Sequence, residues 1–138
     1  MSITLTEHRA QVFYDVLTSL SRIHAHGVKH PFESAIASDT GYLQRDVHTM
    51  LLDAEAEEWV RLVDPKLLTW RLRDGIVAAV PEIKYCDVCR LYKGGIEVRA
   101  IADARLTGGR WGFVCVEHFV EHAGQLGLGR GQFLRLDY

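Results

Sequence analysis

The sequence predicts an α+β chain in two parts, and three observations carry that prediction. Apolar residues recur three and four apart up to Ala56, two short runs then alternate around Asp64-Pro65, and two close pairs of metal-binding side chains stand in the last third. With 138 residues, 48% of them hydrophobic, the chain can bury a real core. The formal net charge is −2 and the pI about 6.4, which excludes a strongly basic protein that coats nucleic acid by bulk attraction. Through Val80 there are 8 Lys and Arg against 11 Asp and Glu; the totals of 16 and 18 leave 8 against 7 for the remainder, so neither part is strongly charged.

The first helix begins after Thr6, a candidate N-cap, and places Val12, Phe13, Val16, Leu17, Leu20 and Ile23 on one face. Gly27 suits its end and Pro31 the start of a second, short helix carrying Phe32, Ile36 and Ala37 inward. Ser38-Asp39-Thr40-Gly41 reads as a tight polar turn. A third helix follows over residues 42–56, with Leu43, Val47, Met50, Leu51 and Ala54 on its buried side. Residues 59–63 and 68–72 then alternate as strands around an Asp64-Pro65-Lys66 turn. The apolar segment 74–82 is too hydrophobic for a solvated linker and is expected to pack, with Pro81 separating a domain of residues 1–80 from one of residues 81–138.

Three helices and a hairpin, with Ile36-Ala37, Thr40-Gly41, Val47 and Leu51 in place, resemble the winged helix-turn-helix domains of small bacterial transcription regulators. The resemblance implies that the third helix enters the major groove, with Tyr42, Gln44, Arg45, His48 and Thr49 on or near the reading face. Arg45 suits a guanine edge and Gln44 an adenine edge, while Lys66, Arg71 and Arg73 of the wing could neutralise phosphates. Asp53, Glu55, Glu57 and Glu58 depart from the family habit, since they would repel phosphate if they faced DNA; a solvated face pointing away is the alternative. Winged helices also serve as protein-binding or dimerising modules, and Leu5, Val12, Val16 and Leu20 of the first helix could leave surface for a second copy unless the C-terminal part covers them.

In the second part, Cys86-x2-Cys89 and Cys115-x2-His118 form two chelating pairs whose four donors match a closed tetrahedral zinc site. No position is left for water or substrate, so the site reads as structural. His122, one helical turn beyond His118, is a substitute ligand on what is otherwise the solvent side. Three buried cysteines without metal would leave the matched spacings unexplained. The odd cysteine number, with no apolar leader and no membrane-length run, suits a reducing cytoplasm better than a disulfide framework. Residues 98–106 and 110–114 are expected as strands joined around Thr107-Gly108-Gly109, residues 116–123 as a helix, and residues 133–136 as a last strand.

A knuckle, a hairpin, then a helix bearing the last two ligands is the order of a treble-clef finger. Ala102-Asp103-Ala104-Arg105, Trp111-Gly112, both ligand pairs and residues 126–132 further resemble small, mostly uncharacterised zinc-binding proteins of actinobacteria and their bacteriophages, from which residues 90–99 depart by their length. That resemblance covers about the last 50 residues and implies a cytoplasmic zinc module with no established catalysis. Gly127, Gly129 and Gly131 lack the Gly-Lys-Ser/Thr ending and the following helix of a phosphate loop, so a turn into the last strand is expected, with Arg130 free to touch a phosphate. No nucleophile framework or open metal site suggests an enzyme, and His24, His26 and His30 span a helix end as surface histidines. Two functions follow: a zinc-stabilised regulator reading duplex DNA through Gln44, Arg45 and His48, or a phage-type module that binds and modulates a host protein.

Overall fold

The computed structural model describes residues 5–122 and 124–137. It is a mixed α+β chain that divides into two compact units, Val12–Arg73 and Leu5–Gln11 with residues 74–137. The division falls after Arg73, earlier in the chain than the sequence placed it, because the segment expected only to pack is a strand of the second unit.

Helix α1 (Glu7–Ala25) starts where Thr6 Oγ1 accepts the Arg9 N–H at 3.2 Å, and Gly27, at φ 104°, turns the chain away after its end. Val12, Val16 and Leu20 are buried within the single chain. Helix α2 (Glu33–Thr40) takes in Ser38, Asp39 and Thr40, which the sequence suggested as a turn. The stop is Gly41 instead, whose left-handed φ of 79° lets its N–H reach the Ala37 carbonyl at 2.9 Å. Helix α3 (Gln44–Ala56) begins two residues later than expected and buries Val47, Leu51 and Ala54.

Phe32 and Leu43 correct the sequence reading: both were expected inward and both are exposed. Each is the N-cap of its helix with extended backbone, so its side chain does not follow the helical face that the apolar spacing describes. Phe32 bridges Thr69 instead, and the flanking Glu33 N–H and Trp70 N–H donate to Leu68 and Pro31, which ties the start of α2 to the hairpin.

Strands β1 (Val60–Asp64) and β2 (Thr69–Leu72) pair antiparallel with a bulge between Leu62 and Asp64. Asp64 Oδ1 accepts the N–H groups of Lys66 and Leu67 at 2.8 and 3.2 Å, which closes the connection as an Asx turn. Phe13, Leu17, Ile36, Leu51, Trp59 and Trp70 form the core of this unit, with Phe13 edge-on to Trp59 at 5.2 Å.

The second unit is a four-stranded sheet in the order β3-β6-β4-β5, built from β3 (Val77–Val80), β4 (Ala102–Arg105), β5 (Trp111–Val114) and β6 (Gly131–Leu136). β3 runs parallel to β6 and the remaining pairs are antiparallel. Two short helices, α4 (Asp87–Tyr92) and α5 (Val116–His122), pack with β4 and β5 over Phe119, Phe133, Ala102 and Val114. The expected strand over 98–106 shortens to β4 because Val98 and Arg99 pair with Cys86 and Tyr85 of the knuckle. Ala123, placed last in the expected C-terminal helix, lies outside the described residues. The glycine run is a turn into β6, closed by a Gly127–Gly131 bridge. Gly131 is required there, since a Cβ would meet the Gln125 carbonyl oxygen at 2.9 Å and Ala104 at 3.0 Å. Among the described residues no helix is long and apolar enough to cross a membrane.

Candidate metal centre

Both chelating pairs are set by the same local device, a cysteine at the start of a short helix whose first turn brings the second donor back beside it. Cys86 is the N-cap of α4, held by its N–H to the Val98 carbonyl, and its Sγ accepts the Cys89 N–H at 3.4 Å. Cys115 leaves β5 directly into α5, and its carbonyl accepts the Phe119 N–H, which fixes the turn that carries His118. All four side chains are buried and their donor atoms lie within 4.8 Å of one another.

The distances discriminate further. His118 Nδ1 is 3.4, 3.4 and 3.3 Å from the sulfurs of Cys86, Cys89 and Cys115, and the Cys89 and Cys115 sulfurs are 3.8 Å apart. Tetrahedral zinc with Zn–S of ~2.3 Å and Zn–N of ~2.05 Å has sulfur–nitrogen edges of ~3.5 Å and sulfur–sulfur edges of ~3.8 Å. The donor set could therefore hold a metal ion such as zinc, with Nδ1 as the histidine ligand. His122 is outside the cluster: its ring stacks on His118 at a centroid distance of 5.9 Å and its Nε2 faces Glu121 at 3.6 Å. Glu117 and Glu121 also approach His118, but both are exposed and Glu117 pairs with Lys93 at 3.0 Å.

Electrostatics supply the same argument from the protonation side. Burial pushes the Cys89 thiol up to about 12, helped by hydrogen bonds and charge from its neighbours. Burial also raises Cys115, with the charge of Cys86 adding to it. Burial opposes ionisation of Cys86 as well, yet N–H groups of Cys89 and Cys115 outweigh it and hold this thiol below its ordinary value. Three buried sulfurs in contact cannot all be thiolates without a cation among them, and a dication inverts that balance.

Asp87 and Gly112, to which the sequence assigns no role of their own, belong to the support of the site. Asp87 Oδ2 accepts the Phe113 N–H at 2.8 Å, which joins the helix of the first pair to the strand that delivers the second. A Cβ on Gly112 would stand 3.2 Å from that same oxygen, so the glycine keeps the approach open. The signal available beforehand was an acidic residue directly after the first ligand and a glycine inside a strand three residues before Cys115.

In the first unit the residues proposed for base reading divide into two groups. Gln44 Nε2 and His48 Nδ1 both bond Glu33, at 3.4 and 2.6 Å, and Glu33 is only 2% exposed. Tyr42 donates its hydroxyl to Asp15 at 2.6 Å, and burial together with that bond raises the phenol to about 12. Thr49 donates to the Arg45 carbonyl. Arg45, Lys66, Arg71 and Arg73 are exposed, with no side-chain partner among the described residues. Of the acidic residues near the hairpin, Glu55 is structural, accepting the Leu62 N–H at 2.9 Å. His24 and His26 bond nearby backbone carbonyls and join no metal-competent group among the described residues. No protein-family model, curated protein or solved structure matches this chain.

Proposed function

We propose that the chain is a zinc-stabilised winged-helix protein that binds duplex DNA, a transcription regulator of phage or bacterial origin working in the cytoplasm. The zinc is structural: three thiolates and one imidazole fill a tetrahedral set, and the treble-clef order of knuckle, hairpin and helix leaves no position for chemistry. The observation that carries the DNA reading is the set of exposed cations, Arg45 on α3 and Lys66, Arg71 and Arg73 on the hairpin, set on the helix-helix-helix-hairpin order. On this reading Arg45 takes a base edge and the three hairpin cations take phosphates. Gln44 and His48 contribute to readout only after exchanging Glu33 for a base.

The test is binding of zinc-loaded protein to a pool of genomic duplex fragments over a salt series. Selective binding with a steep salt dependence is expected, and Lys66→Ala should lower the slope by about 0.9 if that side chain neutralises one phosphate. Arg45→Ala should relax sequence preference with folding intact. Binding to no fragment at low salt overturns the reading.

A second reading, a module that binds and modulates a host protein, is favoured by one specific observation. Tyr42, Gln44 and His48 are already hydrogen bonded within the chain, which pre-forms this surface as a rigid platform at the expense of free base-reading groups.

A further inference from the structure

Beside the candidate metal centre, α4, the β4–β5 connection, β5 and His122 line a half-open cavity of about 460 Å³ that none of the four donor residues lines. Val88, Leu91, Leu106 and Trp111 give it apolar walls, and Arg90 and Arg110 stand at it as exposed cations with no side-chain partner among the described residues. The surface is unusually apolar for exposed residues: Leu91 is 75%, Tyr92 81% and Trp111 52% accessible.

Three of the six polar side chains that line the cavity are committed elsewhere, which leaves Arg90, Arg110 and the exposed Tyr92. Asp87 accepts from the Phe113 N–H, Thr107 donates to the His122 carbonyl, and the His122 ring faces Glu121. A nucleobase placed against the apolar walls would lose water from its polar edge. An apolar side chain loses nothing comparable. The two unpaired guanidinium groups meanwhile favour carboxylates at the mouth, and guanidinium pairs with them through two parallel hydrogen bonds.

We infer that this cavity is a docking site for an acidic peptide segment of a partner protein, with one aromatic or long aliphatic side chain seated against Trp111 and Leu91 and flanking Asp or Glu on Arg90 and Arg110. The surface lies wholly in the second unit, so it deepens the protein-binding reading without depending on what the first unit binds. Asp87 Oδ2, which accepts the Phe113 N–H at 2.8 Å, holds α4 and β5 together, and the cavity walls with them.

The experiment selects short random peptides displayed on phage against the zinc-loaded full chain, then measures a synthetic consensus peptide by fluorescence polarisation. The expected consensus has one aromatic or long aliphatic residue with Asp or Glu within a few positions. Arg90→Glu with Arg110→Glu should weaken it on the order of tenfold or more, through like-charge repulsion at two exposed sites that leaves zinc content unchanged. Trp111→Ala should abolish it. Enrichment of nothing, a consensus without acidic residues, or equal binding to the double variant overturns the proposal. So does displacement of the peptide by oligothymidylate, which would assign the cavity to single-stranded nucleic acid. None of these variants touches Arg45, so failure here is distinguishable from failure of DNA binding.

Discussion

At the scale of single residues, hydrogen bonds to buried or half-buried carboxylates decide what several side chains can do. Tyr42 is the clearest case, since its phenol stands near pH 12 for two stated reasons, burial and the bond to Asp15. The folded state holds the proton more tightly than the ordinary value of 10.0, so the stabilising contribution is complete below pH 10 and is lost as pH rises through about 12. Ultraviolet titration of the folded protein should therefore show one tyrosine ionising near pH 12, and Tyr42→Phe should remove that step. A tyrosine set titrating entirely near its ordinary value would contradict the bond. Asp87 is the second case. Its charge, after burial, holds the Asp103 carboxyl above the ordinary range, as an ionised neighbour should. Asp87→Ala leaves the Phe113 N–H without this acceptor, so stability should fall by ~1–3 kcal/mol and zinc affinity should fall with it, measured by chelator competition. Tyr42 and Asp87 also mark what a sequence conceals: spacing names a ligand that returns after one helical turn, but it does not reveal a partner 27 residues away, as Asp15 is from Tyr42.

At the scale of elements, α2 and α3 are joined across their polar sides as well as through Ile36, Val47 and Leu51. Glu33 is the join: a carboxylate 2% exposed, bonded to His48 and Gln44. Glu33→Ala removes the buried carboxylate and its two charge-assisted hydrogen bonds but leaves only His48 and Gln44 without their acceptor, and both reach solvent, so it should destabilise the first unit by ~1–2 kcal/mol in urea unfolding. Glu33→Gln, which keeps an acceptor for His48, should cost less. A neutral result for Glu33→Ala would mean the carboxylate is hydrated and the two side chains are free. Element order and type were legible because three- and four-residue spacing survives wherever a helix has one buried face, as in α1 and α3. The caps were not: Phe32 and Leu43 continue the apolar spacing in sequence but sit on extended backbone. β3 was illegible for another reason. Val77–Val80 has no hairpin partner, and its parallel pairing with β6 spans more than 50 residues, which no local pattern encodes.

At the scale of the molecule, each unit has a core of its own, and only one contains the metal donors. The second unit buries three cysteines and His118 as a set that could hold a metal ion, and a metal bound there would add its binding energy to the stability of that unit. Removing the metal should act on the two units unequally. Trp59 and Trp70 are buried in the first unit, whereas Trp111 is half-exposed in the second. Under chelation, amide exchange in residues 84–122 should accelerate strongly, while Trp59 and Trp70 continue to report a cooperative unfolding transition. The same protons that leave the thiols on binding must return as pH falls, so metal should be released on acidification, and Cys89→Ser should shift that release to higher pH. Cobalt substitution supplies the readout, since tetrahedral thiolate ligation gives it intense visible absorption. If chelation collapsed the tryptophan transition as well, the units would share one stability and the metal would support the whole chain. If it changed neither exchange nor absorption, the Cys86, Cys89, Cys115 and His118 cluster would be a core of ordinary thiols, and the matched edges near 3.4 and 3.8 Å would have another cause.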